Sequence, residues 1–397
     1  MDNPIDPRRY DVDWIRVIAF GLLIPFHVAV GFVPWDVYPY QNNQLAGSIA
    51  QLLLLFIHQW RLPLLFLVSG IGTCFALKHR TRRQFFTERT MRLIIPLIFA
   101  MNFVIIFQGY HAALNKGNIN SFTEFAFDWW RGFGEVSHLW FLINLFLYSL
   151  VCVPLFFNIR NNPDGKLMKT VKKIAGIPNG LGLLFIFPIP LIIIELFVKP
   201  WSYGVVGQGY ELLWYLVFFI LGYLCIATKD IFWNSLNTIR YSSLILGIIC
   251  STTLFILVSI GDSISPGYGS ALMLNGGWTL FGDAFWGYLT FPTCIIHALN
   301  SWSWCMVMFS WGAKYLNKSS SKLTYLNQGV YLFYIMHLPI TLVALFYIKN
   351  WEMFWFTKFL IINAVTVIGC LITFEILKRT RITRLLFGIK HSSKLKT

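Results

Sequence analysis

Asp13-Trp14-Ile15-Arg16-Val17-Ile18-Ala19-Phe20-Gly21-Leu22-Leu23-Ile24-Pro25-Phe26-His27 is an apolar run with an arginine near one end and a histidine at the other. An arginine at the centre of a membrane helix costs about 2.5 to 3.5 kcal/mol on insertion scales, so such residues usually face a cavity or a bundle interior and mark a functional path. Eleven positions separate Arg16 from His27. At ~1.5 Å and ~100° per residue, a straight helix puts both on one face, roughly 16 Å apart along the axis. One end can grip a ligand while the other meets its reactive tip. Pro25 lies four residues after Gly21 and takes away the donor of the Gly21 carbonyl, so the helix is expected to bend there. The plainer reading of His27, a hydrogen bond between helices, stays open on this stretch alone.

Composition sets the class. Of 397 residues, 56% are hydrophobic and 12% charged, and the mean hydropathy is +0.62, which excludes an ordinary soluble domain. Apolar runs long enough to span a bilayer lie near 14–34, 49–76, 92–113, 138–157, 181–198, 211–228, 241–260, 285–311, 325–347 and 353–377. The expected fold is therefore all-α, a polytopic membrane domain of about ten transmembrane helices over residues 1–377, with a basic tail over 378–397. The first run is too long for a signal-peptide core and lacks a small-residue cleavage site, so it reads as a retained helix.

Charge gives orientation. The formal net charge is +15, but the basic residues are spread between the runs, which points away from nucleic acid. Alternate connections hold twenty-five Lys and Arg on one side and five on the other: Lys116, Arg131, Lys199, Lys349 and Lys358. The positive-inside rule then makes both termini cytoplasmic. The seven cysteines, Cys74, Cys152, Cys225, Cys250, Cys294, Cys305 and Cys370, sit in apolar segments with no CxxC pair, so neither a disulfide framework nor a metal site is expected.

That orientation assigns depths. Arg16 lies near the cytoplasmic face and His27 past the midplane. His58 and Arg61 on the second run, His297 on the eighth, and His337, which follows Tyr331 and Tyr334, on the ninth come to similar depths. Polar groups at one depth on separate helices suggest a shared interior cavity, although each alone can be a satisfied interhelical bond. Ser69-Gly70-Ile71-Gly72 allows close backbone approach, either for helix packing or to leave room for a slender ligand. The connection that follows carries Lys78, Arg80, Arg82, Arg83, Arg89 and Arg92. Lys78 to Arg83 suit lipid headgroups, while Arg89 and Arg92, three apart on a helix, can clamp phosphates. Residues 114–137 are expected to include an interfacial helix around Trp129-Trp130, leading into Ser137-His138-Leu139-Trp140. With the Gly-rich connection 261–284, bearing Asp262, Asp283 and Gly276-Gly277-Trp278, this segment is a candidate acceptor cleft.

Arg16 with His27, Phe66-Leu67-Val68-Ser69-Gly70, and Arg89-x-x-Arg92-x-x-x-Pro96 together resemble the signature of the membrane-bound acyltransferase-3 family. The resemblance covers nearly the whole chain and is strongest over 10–145. Pro25-Phe26-His27, His58-x-x-Arg61, Ser137 to Leu142 and His337 resemble the branch that succinylates periplasmic glucans. What this implies is transfer of an acyl group from cytoplasmic acetyl-CoA or succinyl-CoA, a co-substrate and not a resident cofactor, to a glycan or oligosaccharide hydroxyl outside a bacterial inner membrane. No extracellular domain is expected after the tenth run, so a periplasmic partner protein or the membrane domain itself would deliver the group.

Acyl-CoA has a polyanionic head and a long thin arm. Arg16, Arg89 and Arg92 suit the head, Ser69 and Gly70 the channel, and His27 the reacting end. Asp13 is expected to cap the first helix and orient Arg16. His27 is the candidate general base, or an acyl-accepting nucleophile. Arg61 is expected to stabilise the oxyanion or hold a succinyl carboxylate. His337 would assist proton transfer, and His58, His138, Trp140 and Tyr334 would contact the acceptor. Rival readings are a transporter or flippase of a glycan or polyanion, a lipid acyltransferase, and a bis-histidine haem protein. No run shows the paired histidines expected for haem.

Overall fold

The computed structural model describes residues 8–35, 37–117, 119, 121–199, 207–264 and 291–389. Among them the chain is helical, with no strand. Eight helices are long and apolar enough to cross a membrane, and a ninth if the pair Ser137–Val151 and Val153–Asn161, bent by 48°, counts as one span. The predicted run 285–311 appears from Phe291 as a 25-residue helix. Its length suffices, but Asn300, Ser301, Ser303 and Ser310 dilute its hydropathy, and all four are buried. This is a multi-pass membrane protein. Asp283 and Gly276-Gly277-Trp278 lie outside the described residues, as do Asp2, Asp6 and the tail beyond residue 389.

The described chain divides into two compact units. The first comprises residues 1–19, 58–79 and 152–324. It contains most of α1 (Tyr10–Gly21) and the second part of the helix Ser48–Leu77, which we call α3. Its core crossing is unusually close. On α3, a methyl group at Gly70 would stand 2.0 Å from the Phe219 carbonyl oxygen, and one at Gly222 would stand 2.1 Å from that of Leu67. Two glycines thus let α3 lie directly on the helix Tyr210–Ala227. Gly70 serves helix packing, and the Ser69 hydroxyl donates to the Leu65 carbonyl of its own helix at 2.7 Å. Gly70→Ala or Gly222→Ala should force the helices apart and cost about 1–3 kcal/mol. The check is a lowered thermal unfolding midpoint in detergent; an unchanged midpoint would contradict the crossing.

Proline placement organises the same unit. Pro63 inside α3 deprives the Gln59 carbonyl of its helical donor, and the Ser301 hydroxyl replaces it at 2.8 Å. The neighbouring amides extend the contact: Asn300 donates to the Gln59 side chain, and Ser251 donates to Asn300 at 2.8 Å.

The second unit comprises residues 20–57, 80–151 and 325–397. It holds α2 (Leu23–Val30), α4 (Arg82–Arg89), α5 (Ile95–Phe103), α6 (Ile105–Asn115), α7 (Phe122–Arg131) and α8 (Trp140–Val151). Between α1 and α2 only Leu22 departs from regular helix, and Tyr10–Val30 forms one span of 21 residues. The helix expected around Trp129-Trp130 is α7, with Trp129 and Trp130 donating to the Met101 and Asn102 carbonyls, each at 3.1 Å. Between α4 and α5 the chain makes a π turn at Thr90–Ile94, ahead of Pro96, which cannot supply a regular helical N–H.

Two further helices complete this unit, Ser321–Ile348 and Trp355–Leu377. Ile368, Ile372 and Ile376 are exposed at four-residue spacing on the latter, a stripe suited to lipid. Lys358 at its start is buried, and its ammonium donates to Asn42 at 3.1 Å, Asn43 at 2.5 Å and the Lys349 carbonyl at 3.2 Å. Lys199 is buried too. Two of the five minority-side charges are thus internal structural groups and not topology signals. The start of the tail is not merely polar: Arg381–Leu386 is helical, and Phe387 sets its ring 5.3 Å from Phe99.

Candidate functional site

The second unit brings three predicted histidines together. His337 is central and 1% exposed. Its ring centroid lies 5.2 Å from His27 and 5.2 Å from His138. They come from separate elements: α2, the 3₁₀ turn Ser137–Leu139 that leads into α8, and the helix Ser321–Ile348. Each ring is fixed by a partner. His337 Nδ1 lies 2.7 Å from the Tyr334 carbonyl and 3.1 Å from that of Phe333. A carbonyl only accepts, so Nδ1 carries the hydrogen and Nε2 the lone pair.

His138 is held the opposite way round. Its Nε2 donates to the Tyr334 carbonyl at 3.0 Å, while the Tyr334 hydroxyl donates back to the His138 carbonyl. This reciprocal clasp joins the turn before α8 to the helix that carries His337. Phe20 and Phe141 pack edge-on against the Tyr334 ring at 5.8 and 5.6 Å, which keeps the clasp dry. Pro339, two residues past His337, deprives the Ile335 carbonyl of its helical donor; that backbone also interacts with His138. Trp140 follows at the first position of α8 and is half-buried.

Arg89 and Arg92 belong to this unit. Being three apart, they were expected to share a helix face, but the π turn begins between them. Arg89 lies over the Phe85 ring at 4.9 Å, whereas Arg92 lies over Tyr331 at 5.6 Å and pairs with Glu88 at 3.2 Å. Arg80 pairs with the same Glu88 at 2.9 Å. Both cations nevertheless share one electrostatic neighbourhood, which also holds Glu88 and Tyr331. Tyr331 is six residues before His337 on one helix, so Arg92 meets that helix roughly 9 Å along its axis from the histidine.

The first unit holds the other predicted residues. Arg16 pairs with Asp13 at 3.4 Å, as the spacing suggested. The helix starts at Tyr10, however, so Asp13 sits within its first turn and not at its cap, where it also receives Arg8 at 2.7 Å. The Arg16 guanidinium lies against Gly72, where a methyl group would stand 3.2 Å from Nη2. Gly72 is therefore the member of the small-residue motif that makes room for an arginine. Arg61 is 2% exposed, one turn beyond His58 on α3.

Sequence reading missed the densest polar network in this unit. Glu195, on the helix Ile189–Phe197, is 0% exposed. One carboxylate oxygen takes the Lys199 ammonium at 2.8 Å and the other takes His297 Nδ1 at 2.8 Å. Trp214 stacks on His297 with centroids 5.4 Å apart. Nearby, the Glu211 carboxylate accepts the Gly207 N–H at 2.5 Å. The available signal was an acidic residue inside an apolar run, which is costly and so marks a partner or a function. No group of three or more His, Cys, Asp or Glu among the described residues is arranged to hold a metal.

The family model described as an acyltransferase domain, that of the acyltransferase-3 proteins, matches residues 9–375. Glucans biosynthesis protein C of Escherichia coli O81 strain ED1a is 27% identical over 407 aligned residues, covering 98% of this chain and 96% of that protein. The protein of the same name from Escherichia coli strain K12 is 26% identical with the same coverage. No solved structure gives a significant match.

Proposed function

The chain belongs to the acyltransferase-3 family, and we propose that it moves an acyl group, acetyl or succinyl, from cytoplasmic acyl-CoA to a glycan hydroxyl on the outer side of a bacterial inner membrane. The observation that supports this most is the meeting of His27 and His337, two oriented imidazoles with centroids 5.2 Å apart. The glycan acceptor is suggested by relatives whose name concerns glucans, and the succinyl donor by the motif resemblance.

In this reading His27 takes the proton from the acceptor hydroxyl as its oxygen attacks the thioester carbonyl. The tetrahedral intermediate then collapses, the C–S bond breaks, and the departing CoA thiolate receives the proton from the imidazolium. His337, whose Nε2 bears a lone pair, shares the proton between those steps. His138 and Tyr334 hold the acceptor side in register, with Trp140 beside them and His58 proposed as a further acceptor contact. Arg61 is the proposed cation for the oxyanion or for a succinyl carboxylate. Arg16, Arg89 and Arg92 are proposed to take the phosphates of the donor, with Ser69 along its arm.

Changing both Arg89 and Arg92 to Ala should raise KM for acyl-CoA at least tenfold and leave kcat nearly unchanged. Each charge-assisted hydrogen bond lost is worth about 1.5–3 kcal/mol, and ~1.4 kcal/mol is tenfold in affinity. Initial rates of transfer of labelled acyl groups from acyl-CoA to a glucan oligosaccharide check this. Incorporation of label into the glucan by the unaltered protein supports the function, and failure of both donors to label any hydroxyl would sink it.

A further inference from the structure

Tyr38 lies in the segment after α2 and was not expected to take part in the chemistry. Its hydroxyl makes two contacts with one residue, 2.9 Å to the carbonyl oxygen of His27 and 3.0 Å to Nδ1 of the same histidine. The reason begins at the helix end. A carbonyl in the last turn has no helical donor to spare, and Gly31, which would ordinarily serve His27, donates its N–H to Val28 at 3.1 Å. The Tyr38 hydroxyl reaches the His27 carbonyl at this helix end.

A tyrosine hydroxyl has one hydrogen. If that hydrogen pointed at Nδ1, two oxygen lone pairs would face each other at 2.9 Å with nothing between them. Donated to the carbonyl, it leaves the hydroxyl only lone pairs to offer Nδ1. The imidazole must then present N–H at Nδ1 and a lone pair at Nε2. We propose that Tyr38 is a positioning residue that fixes His27 in the Nδ1–H tautomer, so that Nε2 is the nitrogen that accepts the hydroxyl proton. This rests on the acyl-transfer reading above and assigns to it the atom that acts as base.

The same rule makes the arrangement specific. A carboxylate in place of Tyr38 would also orient the ring, but it would add a charge and could not donate to the carbonyl. A neutral hydroxyl serves both atoms at once. Tyr38 also packs in the apolar cluster of Phe26, Val30, Val33 and Leu54, so its ring is held without help from a ligand. Tyr38→Phe keeps that packing and removes only the oxygen.

Two measurements test this. The ring nitrogens of ¹⁵N-histidine-labelled protein in lipid nanodiscs, with the His27 signal assigned by its loss in His27→Gln, should show protonated Nδ1 and bare Nε2. In Tyr38→Phe, kcat should fall roughly 10- to 100-fold, as when an orienting partner of a histidine is lost, with KM for acyl-CoA unchanged and the His27 signal moved toward a mixture of tautomers. Protonated Nε2 in the unaltered protein would overturn the proposal, as would Tyr38→Phe with unaltered kcat. If His27→Gln stays active, the base reading fails while the tautomer result still stands. If His27→Gln is inactive and Tyr38→Phe matches the unaltered protein, only the role of Tyr38 fails.

Discussion

His27→Gln should lower the rate of acyl transfer by about 10²–10⁴-fold, the usual worth of a positioned general base, without changing the protein's insertion or its KM for acyl-CoA. Glutamine keeps the size and a hydrogen-bonding end, so Tyr38 still finds a partner while the proton acceptor is gone. His337→Gln should cost less, because it removes a ring that shares the proton and not the one that first receives it. The order of the two losses is as informative as their size. A chain in which His337→Gln is the more damaging would reverse the roles of rings that stand 5.2 Å apart. Single-turnover kinetics on purified protein read both.

Glu195→Ala should be the most destabilising single change. It strands the Lys199 ammonium, 4% exposed, and takes away the partner of His297 Nδ1. Breaking a buried pair from one side costs about 3–5 kcal/mol, because an unpaired charge is left in a poorly solvating interior. Removing the stranded charge as well, in Glu195→Ala with Lys199→Met, should restore much of that loss. The thermal midpoint in detergent, taken for the single and the double variant, checks it. A double variant no more stable than Glu195→Ala would show that the carboxylate acts through His297 and Trp214 and not through Lys199.

The legible and illegible parts of this chain differ for a physical reason. Long apolar runs and their charge-poor interiors are linear features, so the helical spans could be read directly. The family motifs were also linear: Arg16, His27, Ser69 to Gly72 and Arg89 to Arg92 lie within one stretch. The meeting of His27 and His337 was foreseen only as a shared depth, and His138 only as part of the acceptor cleft, because the clasp between Tyr334 and His138 depends on which backbone carbonyls two helices turn toward each other. Glu195 and Lys199 were visible as letters but were assigned to an apolar run and to a topology count. The pairing of Glu195 with His297 joins positions about a hundred residues apart. Tyr38 was less visible still, since one tyrosine in an aromatic segment is ordinary and only the two distances to His27 distinguish it. Gly70 and Gly72 show the finer limit: one motif, read as one signal, serves a helix crossing at the first glycine and an arginine at the second.

The measurement that tests the central claim most directly is thiol release by the purified, membrane-embedded protein, with acetyl-CoA and with succinyl-CoA, each with and without a glucan oligosaccharide. The account predicts that one donor releases CoA thiol in step with the mass of acylated glucan formed, and that neither rises without the acceptor present. Passage of the oligosaccharide across the membrane, with both thioesters left intact, would contradict it.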